Sequence, residues 1–362
     1  RLPIILTKII DYLSREKAKI VRDNNSVCIK IYFLTDENSK ALKDSSNAIL
    51  HTILHLIRAV TKLKNDLVTN KDYEPLKVES PDAEKWNRWI ESQDNKKYFM
   101  NSWMFTECYV YRKLYEGSFQ NNVEIMCLVA DRVVDMVVVS EKDKRKADFV
   151  TLLKVKFFFY YGQAFYFIIQ FKKKSHIVCD NAGYELFADL CLAHFLIGQE
   201  IVQKIRFHVK NMPWFVSDVT VNDFKTFLLS AVNIFHKIYF FFLQKDEDFW
   251  TYPHCYKEMK KIDPNLYRKL QLAVAIMFKG DLNYRKLVGD VNCNPYLGLQ
   301  PSLQGFLPAP IIAVRTVKAE TICGLPKGKW DVLNQYDPKW MQSGDYGVML
   351  VNGRRQLRLV IS

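Results

Sequence analysis

The chain of 362 residues contains no CxxC pair, no GxGxxG and no GxxxxGK[ST]. The first absence removes zinc ribbons and thioredoxin-like redox centres. The eight cysteines, Cys28, Cys108, Cys127, Cys179, Cys191, Cys255, Cys293 and Cys323, therefore read as reduced core thiols. The other two absences remove the dinucleotide fingerprint and the phosphate-cradling Walker loop. His51 and His55 stand at i, i+4, yet the TIL between them lacks the glutamate of a HExxH metalloprotease, which leaves them as histidines of a helix stripe. No internal repeat or low-complexity tract stands out. The longest apolar tract, 157–171, is broken by Gly162 and Gln163 and is short for a bilayer; it reads as a buried helix, and no membrane association is expected. RLPIILTKIIDYLSREKAKI alternates apolar and charged residues as an amphipathic helix does and does not resemble a secretory leader, so a soluble cytoplasmic or nuclear protein is expected.

Material for a core is plentiful. A hydrophobic fraction of 49% and an aromatic fraction of 14% exclude a disordered, collagen-like or coiled-coil chain. The length suits two ordinary domains, or one large α/β domain with a helical attachment. Lys plus Arg outnumber Asp plus Glu by 52 to 39, a net charge of +13. The basic residues are scattered singly or in short runs such as 144–146 and 172–174, which argues against nucleic-acid binding as the main role. The same positive field suits steering of small anionic substrates.

Up to about residue 172 the periodicity is helical: Leu50, Ile53, Leu54, Leu56, Ile57, Val60 and Leu63 form one stripe, and similar patterns cover 103–115 and 125–139. From His176 the pattern changes to short β-prone runs separated by helices, HIVCD, YELFADLCLAHFLIG, KIRFHVK and VNDFKTFLLSAVNIF. Further strands are expected at 275–278, 310–314 and 346–351, and the aromatic run 238–242 is expected in the core. Such alternation predicts a sheet with crossover helices on both faces, hence an α/β fold with a three-layer α/β/α sandwich.

Ligands of open α/β sheets bind at the carboxyl ends of the strands. Asp180 and Asn181 close the first candidate strand, and Asp218 follows the second after NMPWFVS. Two carboxylates and an amide oxygen leave positions for water and substrate oxygens, as Mg²⁺ or Mn²⁺ requires in phosphoryl-transfer sites. The same residue types are also favoured helix N-caps, so each taken singly is open to that reading. Asp223 competes with them and reads as a helix-start or surface carboxylate. In KGDLNYRK, Gly280 permits close backbone approach, Asn283 and Tyr284 offer hydrogen bonds, and Arg285 can grip a phosphate or sugar hydroxyl; the alternative is a polar connection facing solvent. In RTVK, made of Arg315, Thr316, Val317 and Lys318, the last residue can place a point charge on a phosphoryl oxygen, or can simply be a basic strand end. Asp218-Val219-Thr220 starts like the DxDx[TV] of aspartyl phosphatases but lacks the second Asp.

Together the segments RLPIILTKIID, WNRWIES, SWMFTECYVYRKLYE, DNAGYELFADL, PWFVSDVTVNDF, FKGDLNYRKLVGD and APIIAVRTVKAE resemble the metal-dependent damage-control phosphatases of subfamily III over nearly the whole chain. That subgroup is similar to acidic residue methyltransferase 1, a protein-glutamate O-methyltransferase. The resemblance implies a helical domain over 1–172, with a cap over the site as its expected role, and an α/β/α catalytic domain over 173–362. It implies a phosphatase supported by Mn²⁺, with Ni²⁺, Co²⁺ or Mg²⁺ as alternatives, acting on fructose 1-phosphate and fructose 6-phosphate. Metal ligands then fall on Asp180, Asn181 and Asp218, with Asp180, Asp218 and Lys318 catalytic. Substrate contacts fall on Asp281, Leu282, Asn283, Tyr284, Arg285 and Lys318, and Glu185 matches an S-adenosylmethionine contact. The implied mechanism is attack by cation-activated water, with Lys318 and Arg285 offsetting charge and Asp281 and Asn283 orienting sugar hydroxyls; an aspartyl-phosphate on Asp180 is the alternative. The competing function is S-adenosylmethionine-dependent methyl transfer to protein glutamate, against which the single Gly183 after the first strand speaks. Small phosphorylated sugars are the expected partners, and the chain is expected to be a monomer.

Overall fold

The computed structural model describes residues 2–22, 46–120, 174–230, 241–244, 247–292, 294–352 and 358–361. The expected helices at 125–139 and 157–171, the domain boundary at 172, and Cys28, Cys127 and Cys293 lie outside these residues, as do the side chains of the 238–242 run. The chain forms two compact units, Arg1–Met136 with Met212–Ser217, and Val137–Asn211 with Asp218–Ser362.

The first unit is helical where described: α1 Leu2–Arg22, α2 Ser46–Val68, α3 Pro81–Glu91 and α4 Trp103–Gln120. Leu2, Leu6, Ile9 and Leu13 of α1 fall three or four apart and are buried, as are Ile53, Leu56, Val60, Leu63 and Leu67 of α2, against which α1 packs. His51 and His55 stand exposed, off this stripe, with ring centroids 5.4 Å apart. They are therefore surface residues and not part of the apolar stripe. Ser80 starts α3 by accepting the Ala83 N–H at 3.1 Å, ahead of Pro81 at the first helical position. Met212–Ser217 belongs with this unit although the sequence places it in the α/β half. Trp214 is fully buried and the Phe215 ring stacks on Tyr111 with centroids 4.3 Å apart.

The second unit is built on a seven-stranded sheet in the order β3-β2-β1-β4-β5-β6-β7, with β1 Lys174–Val178, β2 Lys204–His208, β3 Phe241–Gln244, β4 Ala273–Lys279, β5 Ile311–Thr316, β6 Gly347–Val351 and β7 Arg358–Ile361. The first five of these are parallel, and β6 and β7 are antiparallel additions at one edge. From β1 the chain winds outward to β2 through α5 Tyr184–Gly198, then on toward β3 by way of α6 Val221–Ser230. After β3 it returns past β1 to β4, preceded by α7 Pro264–Gln271, and continues to β5 through α8 Asp281–Val288. Right-handed crossovers that run in opposite directions along the sheet place α5 and α6 on one face and α7 and α8 on the other, the expected three layers.

Side chains follow the same division with period two. Ile177, Ile205, Phe207, Ala275 and Met277 join Leu186, Leu190 and Ala193 of α5 and Phe224 of α6 in one core. On the other face, Phe278 meets Tyr256 at 5.2 Å and Phe306 at 6.0 Å. Four described cysteines are buried or half-buried, but Cys191 is exposed on α5, so the expectation of uniformly buried thiols fails there. No described helix is long and apolar enough to cross a membrane.

A buried polar chain also lies on the second face. His176 Nδ1 is 2.7 Å from His208 Nε2, His208 Nδ1 is 2.6 Å from Glu247 Oε2, and Trp250 Nε1 donates to the same oxygen at 3.0 Å. Burial, followed by the charges of His208 and Arg206, pushes His176 down to about 2. Burial would raise Glu247, but the hydrogen bond and charge of His208 outweigh it and hold the carboxyl below its usual range. Glu247→Ala leaves buried donors without an acceptor and is expected to cost about 3 kcal/mol at neutral pH in urea unfolding. A lowered carboxyl stabilises above its unfolded value and stops doing so as pH falls through the folded one, so the difference should shrink on acidification below pH ~4.

Candidate active site

β1 and β4 are neighbours whose outgoing connections leave in opposite directions, so a crevice opens at their carboxyl ends. Asp180 lies two residues past β1, and Gly280 immediately past β4. Backbone seams bring the third element in. Asn181 and Asp218 form an isolated antiparallel bridge, the Val219 N–H donates to the Asp180 carbonyl at 2.7 Å, and the Lys210 N–H donates to the Val219 carbonyl at 2.8 Å. Asp180, Asn181 and Asp218 are thus gathered as the sequence suggested.

They are not helix caps. The residue capping α5 is Gly183, at φ 71 and with no side-chain cap. Ahead of α6, Thr220 donates from its N–H and Oγ1 to Asp223 Oδ2 at 2.8 and 2.7 Å, and its Oγ1 accepts the Asp223 N–H at 3.2 Å. Asp223 is the helix-start carboxylate, which leaves Asp218 for another task.

The Asp180 carboxylate rests on the backbone of Gly280. A Cβ at Gly280, where φ is +87, would lie 2.0 Å from Asp180 Cγ. Burial, then the neighbouring charges of Asp218 and Glu185, push the Asp180 carboxyl well above its usual range against the pull of Lys210 and Lys279. Burial raises Asp218 to about 6, and Lys210 opposes the shift. Lys210 Nζ stands 3.4 Å from Asp218 Oδ2, a charge contact without hydrogen-bond geometry, and that buried oxygen has no hydrogen-bond partner among the described residues. Asn181 Nδ2 donates to Asp180 Oδ2 at 3.0 Å and to Glu185 Oε2 at 2.9 Å. Burial would raise Glu185, but the charge of Lys279 and the hydrogen bonds of Asn181 and Lys279 outweigh it, so its carboxyl is lowered.

Among the described residues no three His, Cys, Asp or Glu side chains converge in a ligating arrangement. The available set is two carboxylates and an amide. Two crowded acids with raised values and an orphaned carboxylate oxygen form a hard-oxygen environment that a divalent cation would relieve.

The structure reassigns much of the expected substrate loop. Residues 281–285 open the eight-residue helix α8, in which every residue from Leu282 to Val288 is buried. Leu282 is core. Asn283, 1% exposed, donates from Nδ2 to the Cys179 and Lys279 carbonyls at 3.1 and 2.6 Å and accepts from Tyr256 at 2.5 Å, so its amide ties β1 to β4 and is not available to sugar hydroxyls. Tyr284 is buried, exchanging hydrogen bonds with Cys323 and carrying Arg315 4.3 Å above its ring. Arg285 forks onto Asp290 at 2.7 and 3.0 Å, which removes it as a phosphate clamp. Arg315 is likewise spent on the Thr321 and Ala319 carbonyls and on Asp281. Thr316 and Lys318 are exposed, and the Lys318 N–H reaches Asp281 Oδ1 at 3.4 Å.

Two buried lysines at the site escaped the sequence reading. Lys210 is 1% exposed, and Lys279 is 8% exposed with its Nζ 3.0 Å from Glu185 Oε1 and 2.6 Å from Asp189 Oδ1. Strand alternation held the signal for the second: Ala275, Met277 and Lys279 share the face beneath α5.

Residues 137–333 match the family model described as the damage-control phosphatase ARMT1-like domain. Proteins named Damage-control phosphatase ARMT1 from Rattus norvegicus and Homo sapiens are 29% and 27% identical, each covering 98% of this chain and 94% of their own length. The aligned spans of 435 and 441 positions exceed the 362 residues here, so these relatives carry segments with no counterpart in this chain. The crystal structure of a DUF89 family protein from Pyrococcus horikoshii covers 86% of this chain and 91% of its own at 11% identity and a TM-score of 0.29.

Gly280→Ala must displace the Asp180 carboxylate and strain a backbone held at φ +87, and is expected to cost about 1 kcal/mol or more in urea unfolding. Asp218 has a raised folded value, so its contribution to stability is present below about 3.8 and lost as pH rises through about 6. In EDTA, the melting temperature of the wild type relative to Asp218→Asn should therefore fall as pH rises across that window.

Proposed function

This chain belongs to the damage-control phosphatase ARMT1-like domain family, and from that premise we propose that it is a metal-dependent phosphomonoester hydrolase acting on small sugar phosphates of the fructose 1-phosphate and fructose 6-phosphate type. The family supports the coarser part, a phosphatase with a metabolite-repair role. The observation that carries the metal dependence is the closeness of Asp180 and Asp218 at the sheet's switch point, with Asp218 Oδ2 lacking a hydrogen bond, while the fructose phosphates rest on the resemblance of the motifs.

In this reading Asp180, Asn181 and Asp218 hold Mn²⁺, or Ni²⁺, Co²⁺ or Mg²⁺ in its place. When bound, such an ion would supply Lewis-acid polarisation of phosphoryl oxygens and activation of water. The protein's own contributions are positional and electrostatic. Gly280 fixes the Asp180 carboxylate by leaving room for it, and Lys210 keeps positive charge beside Asp218. Lys318 is exposed, and its charge acts on Glu185 at the same site. In this reading its ammonium offsets charge on a transferring phosphoryl group. Asp281, tethered to Arg315 at 2.9 Å, accepts the Lys318 N–H and so holds the RTVK turn against the start of α8. Tyr284 acts one layer deeper, beneath Arg315 of that turn, while Asn283 ties β1 to β4 and Arg285 holds Asp290.

Phosphate release should be measured over hexose, pentose and nucleotide monophosphates with Mn²⁺, Ni²⁺, Mg²⁺ or EDTA. Turnover is expected only with metal, absent in Asp180→Ala/Asp218→Ala, and reduced in kcat about 100-fold in Lys318→Met. Arg285→Lys should act mainly on stability, through the fork to Asp290, with a smaller change in KM. Release of no phosphate by metal-loaded protein, or methyl transfer from S-adenosylmethionine to protein carboxylates indifferent to EDTA, would overturn the proposal.

A further inference from the structure

Asn181 faces Asp180 and Glu185, and Glu185, paired with Lys279, is a carboxylate that only accepts hydrogen bonds. The side of the amide turned toward Asp180 and Glu185 is therefore its nitrogen, and Nδ2 donates to both, at 3.0 and 2.9 Å. An amide whose nitrogen is committed in this way has only its oxygen to offer a cation. Glu185 contributes to that orientation, and its own position is not secured by burial. Its side chain is 32% exposed, and it shares a face of α5 with Asp189 one turn on, a like-charged i, i+4 pair. Lys279 secures it. Its Nζ bridges Glu185 Oε1 at 3.0 Å and the buried Asp189 Oδ1 at 2.6 Å, and it rises from the last residue of β4, next to the glycine that seats Asp180.

We propose that Lys279, anchored by Asp189, is a positioning residue that clamps Glu185 onto Asn181 and thereby fixes the Asn181 amide with its oxygen presented to the divalent cation. The proposal rests on the metal-dependent reading above. It gives Glu185 a task in phosphate chemistry, as the link between a buried lysine and a ligand amide. It also explains a lysine at the end of β4 whose charge is turned under α5, onto Glu185 and Asp189.

The test is Mn²⁺ affinity, read by calorimetry and by the electron paramagnetic resonance of unbound Mn²⁺, beside kcat and KM for a sugar phosphate. Lys279→Met should weaken Mn²⁺ binding 10- to 100-fold and lower kcat at subsaturating metal. KM for the sugar phosphate should be little changed once metal saturates. Lys279→Arg should recover part of the affinity. Circular dichroism and thermal unfolding report whether Lys279→Met folds. If it does not, Glu185→Ala, at a partly exposed position, breaks the same link, and the two together should be no worse than one. A folded Lys279→Met or Glu185→Ala variant with wild-type Mn²⁺ affinity overturns the inference and leaves the phosphatase reading intact. Failure of the wild type to bind any of Mn²⁺, Ni²⁺, Co²⁺ and Mg²⁺ overturns both.

Discussion

The contact on which the second unit's chemistry depends is the seating of the Asp180 carboxylate on Gly280, where even one methyl group would collide. It joins the ends of β1 and β4, the two strands from which the sheet winds in opposite directions. Carboxylates do not ordinarily crowd together in a half-buried crevice, because each raises the proton affinity of the others. Here the backbone enforces the crowding. The Asn181–Asp218 bridge and the Val219 bond to the Asp180 carbonyl fix main-chain atoms, and the acids follow their Cα positions.

The crowding is balanced by charges brought in from below. Lys210 stands under Asp218, Lys279 under Glu185 and Asp189, and Arg315 beside Asp281. Asp180 has the Asn181 amide and the Gly280 backbone in place of a direct cationic partner. That unequal distribution is what makes a divalent cation the natural complement of the site in the function proposed. The buried cations hold the frame, and in the function proposed the exposed Lys318 meets the incoming anion.

Sequence pattern was sufficient where one physical rule acts locally. Strand and helix periodicity predicted α5 to the residue, placed β1, β2, β4, β5 and β6 within two or three positions, and indicated a sheet covered on both faces. Polar residues after apolar runs pointed to Asp180, Asn181 and Asp218, since strand ends in such sheets are where ligands bind. Those calculations fail where one residue type serves several ends. Arg285 and Asn283 read as substrate contacts because they are polar and follow a strand. They are buried because the helix opening at Asp281 turns one side toward β1 and β4 and the other toward Asp290.

The sequence by itself determined the α/β class and the strand-end position of the three proposed ligands, because burial periodicity is a property of near neighbours along the chain. Only the tertiary structure decided which polar side chains face the crevice and which hold its walls, and that Lys210 and Lys279 belong to the site. The hydrogen-bond partners that settle those roles lie 90 residues and more away in some cases, as between Lys279 and Asp189 or between Asn283 and Cys179. Which partner a polar group meets depends on strand order, and strand order is set by packing over the whole sheet.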